Sequence, residues 1–126
     1  MKLGKYALAA GVILAGMGGA MAQPQTKLVQ HLDKAMIQAI WCSALFFEES
    51  YYHDSESDEA YHYEDLAFDL GAEIDTLLLD EHEMQQAEVD EIWSIFDSAA
   101  YDLAEADDTG FLTQVETCES NYDDLL

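Results

Sequence analysis

Residues 63–78 read YEDLAFDLGAEIDTLL, in which the apolar residues Tyr63, Leu66, Ala67, Leu70, Ile74, Leu77 and Leu78 recur at helical spacing. Intervals of three and four place all seven on one face of an α-helix, with acids on the other. Toward the amino terminus the same spacing recurs at Leu28, Leu32, Ala35, Ala39, Cys42 and Phe46, which predicts a first helix with one buried stripe. Toward the carboxyl terminus, Asp80 reads as a helix N-cap. Glu83 takes the reciprocal capping position, and Leu79 is placed to staple onto Met84. A third helix then carries Val89, Ile92, Trp93, Phe96, Ala100 and Leu103. Asp107-Asp108-Thr109-Gly110 is a turn signal, and Phe111, Leu112, Val115, Cys118, Tyr122, Leu125 and Leu126 form a fourth apolar face.

No run alternates as a strand would, and the single proline, Pro24, precedes the whole pattern. Four amphipathic helices on short links predict an all-α fold, an antiparallel four-helix bundle. Gly71 lies inside the second helix, where it costs about 1 kcal/mol relative to Ala, and close approach of a neighbouring helix is the expected compensation.

The segment before this domain reads differently. Residues 1–22 have Lys2 and Lys5, an apolar run from Tyr6 to Met17, and small residues ending Ala20-Met21-Ala22. This is the pattern of a secretory signal, with cleavage expected before Gln23, leaving residues 23–126 as an acidic helical domain that is secreted or periplasmic. A membrane anchor fits less well. The run is shorter than the roughly 20 residues a span needs, and Gly11, Gly16, Gly18 and Gly19 interrupt it.

In an exported chain the two cysteines, Cys42 and Cys118, are expected to form a disulfide between the first and last helices. The alternative is a pair of buried thiols acting as small hydrophobes.

Charge narrows the function classes. The chain has 27 Asp and Glu against 4 Lys and no Arg, a formal charge of -23. Loss of Lys2 and Lys5 with the signal would bring this to 2 minus 27, or -25. Nucleic acid and anionic membrane surfaces both need a cationic footprint, so neither is an expected partner. At 50% hydrophobic and 11% aromatic the chain has too much apolar material for a disordered acidic tail. Like charges one helical turn apart, as at Asp65 and Asp69, repel. The surplus is expected to be neutralised from outside by salt, divalent cations, protons or a basic protein. Crowding should also raise carboxyl pKa values, so that stability rises as pH falls from neutral toward about 4 to 5. The expected role is non-catalytic binding of cations or of a basic protein partner. Adaptation of the surface to a saline environment and docking of a basic enzyme as an inhibitor or stress protein are the alternatives.

Three constellations could carry chemistry. Residues 105–116, EADDTGFLTQVE, resemble the twelve-residue calcium loop of the EF-hand family. That resemblance implies calcium held by Glu105, Asp107, Thr109, the Phe111 carbonyl, Thr113 and a bidentate Glu116, with Gly110 at the sharp turn. Glu105 stands where the family pattern has Asp, and the competing reading is an acidic interhelix turn. Glu59 and His62 have the Glu-x-x-His spacing of di-iron bundles, but no second such pair accompanies them. Tyr51, Tyr52, His53, Tyr61, His62 and Tyr63 gather aromatic and imidazole groups near the first interhelix turn, as a binding surface or as the cap of a small core. None of the serines has a nucleophile elbow around it, and enzyme activity is not expected.

Overall fold

The computed structural model describes residues 23–126, so the expected signal segment, 1–22, lies outside the described residues. Among the described residues there are four α-helices and no strand: α1 Lys34–Ser50, α2 Asp58–Asp80, α3 Gln86–Ala106 and α4 Asp108–Ser120. Short 3-10 turns at Lys27–Val29 and Tyr122–Asp124 flank them. The described residues are all-helical, as the spacing predicts, and none of the described helices is long and apolar enough to cross a membrane.

The first helix departs from the one-stripe expectation. From Ala39 to Phe46 every residue is buried, and α1 touches each of the other three helices. A helix hydrophobic all round belongs in the interior. In α2, α3 and α4 the buried positions instead recur at helical spacing, for example Ala67, Leu70, Ile74 and Leu78, or Val89, Ile92, Phe96 and Ala100. The start of α1 also differs. Asp33 Oδ1 accepts from the Met36 amide at 2.8 Å, so the helix begins after Asp33. Leu28 and Leu32 still pack on the core, but from the 3-10 turn and the link after it. Ala35, expected in the stripe, is exposed, and Met36 is buried in its place.

The expected cap at Asp80 is likewise displaced. Leu77 and Leu78 keep α2 helical through Asp80, and Glu83 then takes a left-handed backbone with φ 54°. The Met84 amide donates to the Leu78 carbonyl at 3.0 Å, closing the end of α2. The capping acid of α3 is Glu88, whose Oε1 accepts from the Gln85 amide at 2.9 Å. In a chain with so many acids, an Asp followed three residues later by Glu is weak evidence of a cap.

Cys42 on α1 and Cys118 on α4 are joined in a disulfide, with Cα atoms 5.6 Å apart and both residues buried. Around it lie Trp41, Phe46, Phe96 and Phe111, all but removed from solvent. Trp41 Nε1 donates to Gln114 Oε1 at 2.8 Å, a second tie between the first and last helices.

Candidate functional site

The sites expected from sequence are placed as follows. Residues 105–116 do not wrap a loop. Glu105 and Ala106 end α3, Asp107 is the whole link, and α4 begins at Asp108. Asp107 Oδ1 accepts from the Gly110 amide at 3.0 Å as the N-cap of α4. Gly110 therefore serves a purpose other than the calcium turn: a Cβ there would collide with the Asp107 carboxylate. Thr109 and Thr113 lie on successive turns of the helix, with the Thr113 hydroxyl donating to the Thr109 carbonyl at 2.9 Å. Phe111 is buried in the core, and Glu116 is exposed. These six positions are spread along two helices instead of converging, and among the described residues no group of three or more His, Cys, Asp or Glu is placed to hold a metal ion. Calcium capture by this segment would require the first turns of α4 to unwind.

Half of the aromatic and imidazole cluster assembles, His53, His62 and Tyr63, whereas Tyr51 and Tyr52 pack on Phe47 and Phe111 and Tyr61 is exposed. Buried Glu49 contacts His53 Nε2 at 2.8 Å, and the His53 ring stacks on Tyr63 with centroids 5.6 Å apart. The Tyr63 hydroxyl donates to Glu119 Oε1 at 3.1 Å, and His62 Nε2 lies 2.7 Å from Glu119 Oε2. Glu59 takes no part in these contacts. Burial and the Glu119 carboxylate push the Tyr63 hydroxyl up to about 12, which keeps it a donor. The network ties α1, α2 and α4 together at one end of the molecule.

A site not legible in the sequence lies where α1, α2 and α3 meet. It is a pocket of about 310 Å³. It is lined by the small residues Ser43, Ala67, Gly71 and Ala72 and by the aromatic side chains of Phe47, Phe68 and Trp93. One-turn spacing builds each side: Ser43 and Phe47 on α1, Gly71 and Asp75 on α2, Trp93 and Asp97 on α3. The close approach expected at Gly71 is real. A Cβ there would stand 3.4 Å from Ser43 Oγ and 3.9 Å from the six-membered ring of Trp93. These are ordinary contact distances, so alanine would fit, whereas a longer side chain would occupy the pocket.

The polar groups of the pocket are mostly committed. Ser43 Oγ donates to the Ala67 carbonyl at 2.9 Å, and Trp93 Nε1 donates to Asp75 Oδ1 at 2.7 Å. Asp97 has no hydrogen bond to any of the described residues and is partly buried. Burial first, and the charge of Glu48 on α1 second, push its carboxyl up to about 6. The leading cause is desolvation and not the crowding of charge expected from the sequence.

A folded-state value above the unfolded one means that folding takes up a proton. The ionised group therefore costs stability above about pH 6, and the cost disappears as pH falls through about 4. Glu48 from α1 is the acid whose charge acts on Asp97, and Asp75 from α2 lines the same pocket. Asp97→Asn is expected to stabilise the protein at pH 7.5 by about 1 kcal/mol, a figure reduced for solvent screening, and to do nothing near pH 4. Thermal melts of both proteins at the two pH values check this, and an equal gain at both would assign the effect to packing.

No family model matches the chain, and comparison with curated proteins and with solved structures gives no match. The functional reading therefore rests on the charge distribution and on the pocket.

Proposed function

We propose that the protein is an exported, non-catalytic binding protein whose anionic surface holds cations or a positively charged protein. In this reading residues 1–22 direct export and are removed, and residues 23–126 act as an antiparallel bundle in an oxidising compartment, where the cystine persists. The observation that carries it is the lack of internal neutralisation. The ion pairs among the described residues are His53–Glu49 and His62–Glu119, and both depend on histidine protonation. The described lysines, Lys27 and Lys34, are exposed near the start of the chain and pair with no acid among the described residues. All 27 acids lie in residues 23–126. A body so charged gains from any counterion, and most from a polycation that approaches many carboxylates at once.

Two measurements on the mature oxidised chain test this. The melting temperature is expected to rise with sodium chloride from dilute, EDTA-treated buffer to about 1 M, as self-repulsion is screened. Poly-L-lysine is expected to bind in dilute buffer and to dissociate as salt is added. A melting temperature indifferent to salt, together with no binding of poly-L-lysine, would overturn the proposal. A calcium-specific role differs in its signature: saturation with calcium but not magnesium, lost in Glu116→Gln.

A further inference from the structure

We propose that the pocket between α1, α2 and α3 binds a small organic ammonium ion, a positively charged nitrogen carried on an aryl or alkyl body. The inference rests on the anionic-surface reading and gives it a ligand class. Its main support is the inventory of polar atoms. The hydroxyl of Ser43 and the indole N–H of Trp93 already donate within the protein. The remaining side-chain polar atoms of the lining are the Asp97 carboxylate and the second oxygen of Asp75, which accept nothing from the described residues. The pocket thus presents acceptors without free side-chain donors. It suits a ligand rich in N–H groups or bearing diffuse positive charge, and it repels anions.

The walls favour an organic cation over a hydrated metal. Phe47, Phe68 and Trp93 offer aromatic surface, which attracts cations through the ring quadrupole and buries an apolar body. A divalent cation would need about six oxygen ligands, and the lining supplies too few. The volume of about 310 Å³ is at the small end of ligand pockets and fits a body of about one ring. The placement of Asp97 agrees. A partly buried carboxylate near the charge of Glu48, with its proton more tightly bound than usual, is relieved when a cation sits against it. Asp75 is fixed by Trp93, so the second carboxylate is held in position before any ligand arrives.

Isothermal titration of the mature oxidised chain with three probes of one shape tests the inference: 2-phenylethylammonium, 2-phenylethanol and 3-phenylpropionate. Neutral pH and about 150 mM salt suppress diffuse attraction. The ammonium is expected to bind about tenfold more tightly than the alcohol, and the carboxylate not measurably. Asp97→Asn should remove most of the ammonium preference while leaving the alcohol unchanged. Phe68→Ala, at a side chain 59% exposed and so dispensable for the core, should weaken ammonium and alcohol alike. Asp102→Asn, an exposed acid of α3 outside the pocket, should change neither.

Equal affinity for ammonium and alcohol, or a preference that survives Asp97→Asn, would overturn the pocket inference. So would an equal loss in Asp102→Asn, which would assign the attraction to the general field. Poly-L-lysine titrated in parallel separates the two proposals. Salt-sensitive binding of the polymer without ammonium selectivity leaves the surface reading standing and removes the pocket. Ammonium selectivity without polymer binding, together with a melting temperature indifferent to salt, leaves the pocket and removes the broader surface reading.

Discussion

Replacing both Cys42 and Cys118 by Ala lowers the stability of the protein by about 4.5 kcal/mol. The bridge spans 76 residues of sequence and joins the first helix to the last, so its removal frees most of the described chain in the unfolded state. In the chain-entropy model the unfolded ensemble then gains about 15 cal/mol/K, which corresponds to this loss near room temperature. Total stabilities of small domains lie near 5–15 kcal/mol, so the variant would be marginal in dilute buffer. Both cysteines are buried, so a chemical reductant reaches the bond only after the structure opens. Substitution is therefore the cleaner measurement. Urea unfolding of the double variant against the oxidised parent, with the slope followed as well as the midpoint, separates a change in the unfolded ensemble from lost packing. A loss below about 1 kcal/mol would show that the bridge restrains little.

Trp41→Ala is expected to cost about 3–5 kcal/mol, the usual range for removing a fully buried large aromatic side chain. Trp41 is inaccessible to solvent, meets Phe96 edge-on with centroids 6.4 Å apart, and donates its indole N–H to Gln114. Truncation leaves a cavity in the middle of α1 and removes the donor from the Gln114 amide oxygen, which is only partly open to water. Trp41→Phe separates the two contributions. It keeps most of the volume and loses the hydrogen bond, so its cost should be roughly 2 kcal/mol. Denaturant curves followed by circular dichroism measure both, and Trp93 remains as a fluorescence reporter in either variant. Equal losses in Ala and Phe would place the whole effect on the hydrogen bond.

Helical class was legible because α2, α3 and α4 each present apolar residues at intervals of three and four, and the buried positions Ala67, Leu70, Ile74 and Leu78 lie on the predicted face. The disulfide was legible because two cysteines at core positions leave one intramolecular pairing. The central position of α1 was not, although Ala39-Ile40-Trp41-Cys42 through Phe46 is apolar almost throughout. Three-and-four spacing there fits a single stripe, and the apolar residues between the stripe positions are what mark the helix as interior. The calcium-like segment is helical here: acids, a glycine and a terminal Glu at suitable intervals also describe an Asp-capped helix start.

The pocket was hidden for a different reason. It is made of what is missing, the side-chain volume absent at Ser43, Ala67, Gly71 and Ala72, and those residues read individually as ordinary helix positions. Asp75 and Asp97 were lost among the other acids. The available signal was their register, each standing one turn after a pocket residue, Gly71 and Trp93. Such a signal becomes meaningful only once three helices are known to meet there.

Because α1 precedes the helices that enclose it, a chain delivered amino terminus first presents its oiliest segment while the acidic wrapping is still to come. Residues 39–46 stay uncovered until α2 and α3 arrive, and Cys42 has no mate until the final helix emerges. Maturation is thereby scheduled from the far end of the polypeptide. A product ending before Cys118 would keep α2 and α3 over the first helix but would lack the cystine that fastens it to α4.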